Sequence, residues 1–175
     1  PLTAQFIADL PPWFLDSPDL IIDSRTHMLM PGWYPCIPGW HLDDVPRTRL
    51  DGQPDHANPA YKAQHAMRIH GDASRTMFAV GKIKIQNIPL HGGIIYQRWH
   101  DVIQSMVDSG QLSLVQATGD GQMLLFDWQS FHCGAPATKD GWRFFIRATI
   151  NTHRKPQNEI RKQVQIYMSS LTSGW

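Results

Sequence analysis

The amino-acid sequence predicts a mainly β fold with flanking helices, of the sandwich or barrel type. Three observations carry this. Short segments with period-two alternation fill the middle of the chain, turn signals separate them, and helical spacing is confined to the edges and to one segment between strands. The 175 residues suit one hydrophobic core, so residues 1–175 are read as a single domain.

Taken in order, "LTAQFIADLPPWFL" (2–15) reads as one short helix stopped by Pro11 and Pro12. "DLIIDSRTHMLM" (19–30) reads as extended, with Ile21, Ile22, Met28, Leu29 and Met30 as its apolar positions. Residues 44–75 are polar and rich in Pro, Gly, Asp and His, with a short helix expected around "NPAYKAQHAMRIH" (58–70). "RTMFAVGKIKIQNI" (75–88) is β-like, with "KIKI" alternating. "YQRWHDVIQSMVDSG" (96–110) has helical spacing at Trp99, Val102, Ile103, Met106 and Val107, and Gly110 stands at the C-cap position. "QLSLVQAT" (111–118) and "QMLLFDW" (122–128) are strands around the turn "GDG" (119–121), and "WRFFIRATINT" (142–152) is a further strand. "NEIRKQVQIYMSSL" (158–171) reads as a polar C-terminal helix.

Composition narrows the function classes. Hydrophobic residues make up 42% and charged residues 18%, a globular balance. The net charge of +1 gives no footprint for a nucleic acid or a membrane surface, and neither partner is expected. No apolar run is long enough to span a bilayer, and the first residues lack the basic and apolar regions of a signal peptide. Cys36 and Cys133 form no CxxC motif and imply no disulfide framework, so a reducing, cytoplasmic setting is expected.

The chemistry-bearing motif is "GWHLDDVPR" (39–47), which follows the turn-rich "MPGWYPCIPG". On an extended segment, residues i and i+2 point to one side, so His41 and Asp43 aim at a common point while Leu42 and Asp44 face away. Imidazole and carboxylate are both ligands for a first-row divalent metal, and a third is needed. His132 in "FDWQSFHCG" is the best candidate, because it follows an apolar strand, with His91 in "PLHGG" as its rival. His41, Asp43 and His132 would form a 2-His-1-carboxylate facial triad, which leaves the opposite face of the metal open. Arg143 and Arg147 share one face of the next strand. Two guanidinium groups inside a barrel need anionic partners, and a small dicarboxylate suits them. The arginines of the 44–75 stretch, such as Arg68, are expected to meet a substrate.

The order H-x-D, then a His after a "GD…LLFD" strand, then an Arg about ten residues on, resembles the Fe(II)/2-oxoglutarate-dependent oxygenases, closest in spacing to their taurine dioxygenase and phytanoyl-CoA hydroxylase-like branches. The likeness covers residues 39–43 and 117–150 well and the rest weakly. It implies a double-stranded β-helix, the jelly roll or cupin-like barrel. It implies Fe(II) on His41, Asp43 and His132, 2-oxoglutarate as cosubstrate, and hydroxylation by O₂ with release of succinate and CO₂; the sequence does not specify the substrate, for which a small molecule, anionic if Arg147 is free, and a peptide or protein side chain are the alternatives. Arg143 is the preferred holder of the distal carboxylate of 2-oxoglutarate. Arg147 is the alternative, since Arg147-Ala148-Thr149 fits the R-x-S/T pattern of other branches; it also matches the second arginine of the taurine dioxygenase branch, four after the first, which contacts an anionic substrate or lies near the cosubstrate. Two other functions share this fold: a cupin-like metalloenzyme that does not use 2-oxoglutarate, and a non-catalytic jelly-roll binding module.

Overall fold

Pro11 and Pro12 split the N-terminal helical stretch in two rather than ending it. In the computed structural model, which describes residues 1–45, 48–50, 55, 58, 62–83, 95–152, 155 and 166–168, helix α1 covers Leu2–Ala8 and helix α2 covers Pro12–Leu15. Pro12 is the first residue of α2, where its missing N–H costs nothing and its fixed φ favours the turn.

Strands β1 (Ile21–Leu29), β2 (Gln64–His70) and β3 (Thr76–Val80) follow, then helix α3 (Ile95–Asp108), then β4 (Ser113–Ala117), β5 (Leu124–Asp127), β6 (His132–Gly134) and β7 (Gly141–Ile150). They form two antiparallel sheets. One has four strands in the order β1-β7-β2-β5, the other three in the order β4-β3-β6. Gly110 (φ +73°) stands two residues beyond α3, in the left-handed conformation expected of it.

Each sheet is covered on its outer face. Phe6, Leu10 and Phe14 from the N-terminal segment pack on Ala66, Ile146, Ala148 and Ile150 of the larger sheet. Trp99 and Ile103 of α3 pack with Trp40, Leu42, Ala79, Phe131 and Cys133 on the smaller one. Met67, Ile69, Phe78 and Ala117 join the two sheets across the middle, with Phe126 and Phe145 against them. Burial of this apolar surface is the main stabilising term. The interior between the sheets is therefore walled by odd-numbered residues of β7, which places Arg143 and Arg147 inside.

Three sequence expectations are corrected. Within the stretch 58–70 expected to be a helix, Gln64–His70 form a strand: β2 lies between β7 and β5 in the larger sheet. Both of its faces are buried, so it lacks period-two alternation, and its Ala and Met residues mimic helical spacing. The "GDG" turn does not close a hairpin, because β4 and β5 belong to different sheets; it carries the chain from one to the other. In the stretch read as a C-terminal helix, Tyr167 forms an antiparallel bridge with Tyr34, with N···O distances of 2.8 and 3.0 Å. The "KIKI" run beyond Ile83 and the other residues of the C-terminal stretch, apart from 166–168, lie outside the described residues.

Candidate metal centre

A single backbone pairing brings the two histidines together. His41 N–H donates to the His132 carbonyl and His132 N–H to the His41 carbonyl, both at 3.0 Å. In such a reciprocal antiparallel pair the side chains project side by side, and the two imidazole centroids are 4.4 Å apart. Leu42 turns away into the core under α3, as the i, i+2 argument requires. Asp44 then takes φ +57°, a left-handed value that aspartate tolerates. Asp43 is left facing the two rings. The ligand atoms of His41, Asp43 and His132 all lie within 4.8 Å of one another, and these three residues can hold a metal ion.

The protonation geometry suits that role. Nδ1 of His41 lies 2.8 Å from the Gly39 carbonyl, and Nδ1 of His132 lies 2.9 Å from the Ser130 carbonyl. A carbonyl only accepts, so each Nδ1 carries a proton and each Nε2 is the ring atom turned toward the third residue; Nε2 of His132 lies 3.2 Å from Asp43 Oδ2. Phe78 and Phe126 flank the His132 ring, each with its centroid 5.4 Å away, and fix its plane. Burial, and then the neighbouring His132, push the His41 pKa down to about 4, which keeps it neutral at physiological pH. Burial opposes ionisation of Asp43, but the Arg147 charge and then His132 outweigh it and hold the carboxyl well below its usual range.

The centre forms one wall of a cavity of about 500 Å³. Its other walls include Arg25 and His27 of β1, Met67, Thr76, Phe126, and Arg143, Phe145 and Arg147 of β7. The two arginines of β7 differ. Arg143 is only 2% exposed and donates through Nη2 to Thr76 Oγ1 at 2.9 Å, while its Nε has no hydrogen-bond partner among the described residues. Arg147 is engaged by two carboxylates: Nε and Nη2 donate to Asp23 at 3.1 and 2.8 Å, and Nη1 donates to Asp43.

His41, Asp43, His132, Arg143 and Arg147 thus meet around one cavity. Arg68 does not join them; it faces the other side of its sheet, bonded to Asp9 at 2.9 Å and over the Phe6 ring. His91 lies outside the described residues. Sequence reasoning missed Asp23, Arg25, His27 and Thr76. The signal for the first three was present, since D-x-R-x-H over residues 23–27 alternates with Ser24 and Thr26 and so marks an inward polar face. No helix among the described residues is long and apolar enough to cross a membrane. Neither a protein-family model nor a curated protein matches the chain.

Proposed function

We propose that the protein is an Fe(II)- and 2-oxoglutarate-dependent oxygenase, whose two facing sheets are the halves of a double-stranded β-helix. One observation carries the reading: two imidazole Nε2 atoms and one carboxylate converge on a cavity that also contains a buried guanidinium with an unsatisfied Nε. Two histidines and one carboxylate are the donor set of non-haem Fe(II) oxygenases. A buried cation with a spare donor calls for an anion, and bidentate carboxylate binding answers that need.

Iron, when bound, would couple cosubstrate oxidation to substrate hydroxylation, so that R–H, O₂ and 2-oxoglutarate give R–OH, succinate and CO₂. The chain's own residues do the rest. His41 and His132 present their Nε2 atoms to the metal position, in directions fixed by the Nδ1–H bonds to backbone carbonyls. Asp43 supplies the anionic ligand, kept ionised by Arg147. Arg143, steadied by Thr76, receives the distal carboxylate of the cosubstrate. Arg147 is less suited to that task because Asp23 and Asp43 already occupy its donors. Met67, Phe126 and Phe145 give the cavity apolar walls that limit water at the reacting face.

The test is aerobic incubation of the protein with Fe(II), ascorbate and 2-oxoglutarate without other substrate, followed by succinate analysis. Slow succinate formation that disappears in His132→Ala is expected. Equal succinate formation in the variant and the parent would overturn the proposal.

A further inference from the structure

The cavity contains more positive charge than a single dicarboxylate neutralises. Arg25, Arg143, Arg147 and Lys155 line it, against the carboxylate of Asp43. Arg147 is balanced by Asp43 and Asp23. Arg25 is not balanced in this way. It occupies the inward face of β1, opposite Phe145 of β7, and is half-buried. It makes no hydrogen bond or ion pair with any described residue. Its charge also acts on Arg143, whose guanidinium pKa is lowered first by burial and further by Arg25.

Bound 2-oxoglutarate would place one carboxylate at the metal and one on a guanidinium. That leaves one of the two arginines facing like charge without a counter-ion, an arrangement that costs stability unless an anion enters. Depth separates their roles. Arg143 is almost fully enclosed and bonded to Thr76, whereas Arg25 is half-buried beside Tyr167, whose hydroxyl responds to its charge.

We propose that Arg25 is a second anion-binding position, which holds a carboxylate, sulfonate or phosphate group of the substrate. The substrate class is thus a small molecule with an anionic group at one end and its reacting C–H bond toward the metal. Assigning the anion to the substrate rests on the oxygenase reading; the anion position itself does not.

The experiment uses metal-free protein and 3,3,3-trifluoropropionate as a ¹⁹F NMR probe, with 3,3,3-trifluoropropanol as the neutral control. The expected result is saturable binding of the carboxylate that weakens about ten-fold or more in Arg25→Gln, as loss of a charge-assisted hydrogen bond requires. Arg25→Lys should recover part of it. Arg25 makes no bond to the described residues, so both variants should fold, which circular dichroism checks. Unchanged binding in Arg25→Gln, or equal binding of the alcohol, would overturn the proposal. So would an equal loss of 2-oxoglutarate affinity in Arg25→Gln, since Arg25 would then serve the cosubstrate. Trifluoropropionate binding in a protein that forms no succinate would keep the anion position and overturn the oxygenase reading; succinate formation without probe binding would do the reverse.

Discussion

Arg147 ties together two carboxylates that lie far apart in sequence: it donates to Asp23 on the neighbouring strand and to Asp43 in the metal centre. Asp23 and Arg147 are direct cross-strand partners in the β1–β7 pairing, so the register of the larger sheet sets where the guanidinium meets Asp43. Arg147 thus holds the Asp43 carboxylate in place.

Removing it should leave two carboxylates without their cation. Arg147→Gln should destabilise the metal-free protein by about 2 kcal/mol, less than for a fully enclosed pair because both aspartates are partly exposed. A divalent metal replaces the lost charge and binds only the folded chain, so it should stabilise this variant more than the parent. Urea melts with and without Co(II) measure both effects. Equal stability of the two metal-free proteins would show that the pair holds nothing in place.

Acid should weaken the metal-free fold earlier than carboxylates alone would explain. His41 titrates at about 4 in the folded chain and at 6.5 when unfolded. Between these values the unfolded chain binds a proton that the folded chain refuses, so stability falls as pH drops from 6.5 toward 4. The loss is about 3 kcal/mol over that window. Asp43, whose folded pKa is depressed, contributes stability above its unfolded value of 3.8 and loses it as pH falls below that value. Urea melts in the presence of a chelator should show this slope in the parent and a flatter one in His41→Gln. Identical slopes would mean that His41 is not held neutral by the fold.

Thr76 steadies Arg143 through a single hydrogen bond, worth about 1 kcal/mol. Thr76→Val should therefore weaken 2-oxoglutarate binding about five-fold, with metal affinity unchanged. Calorimetric titration of each ligand separates the two. A loss of metal affinity instead would place Thr76 in the metal centre and not beside the cosubstrate.

Gly71 has φ +100°, and a Cβ there would lie 2.1 Å from the Trp142 carbonyl oxygen and 3.3 Å from Arg143 Cα. Gly71→Ala should cost about 2 kcal/mol or more through clash and backbone strain. The displacement reaches Arg143, so 2-oxoglutarate affinity should fall with stability. A thermal melt unchanged from the parent would rule out this close approach.

The cluster of His41, Asp43 and His132 was legible because its residues are of ligand type and sit on segments with clear local signals. His41 and Asp43 lie two apart with Leu42 pointing the other way, and His132 follows an alternating strand. Arg143 and Arg147 were legible for the same period-two reason. β2 was not, because a strand buried on both faces carries no alternation, and its place between β7 and β5 depends on partners remote in sequence. Thr76 was invisible because its role arises only when β3 is set opposite β7. The engagement of Arg147 by Asp23 is likewise a matter of sheet register, which alternation alone does not specify.

The most direct measurement is anaerobic titration of the metal-free protein with Fe(II) and then 2-oxoglutarate, followed by visible absorption. The expected result is a weak charge-transfer band that needs both additions, is absent in His132→Ala, and requires far more 2-oxoglutarate in Arg143→Gln. Fe(II) binding without any band would contradict the assignment of Arg143 and of the cosubstrate. Absence of metal binding would contradict the His41, Asp43, His132 centre itself.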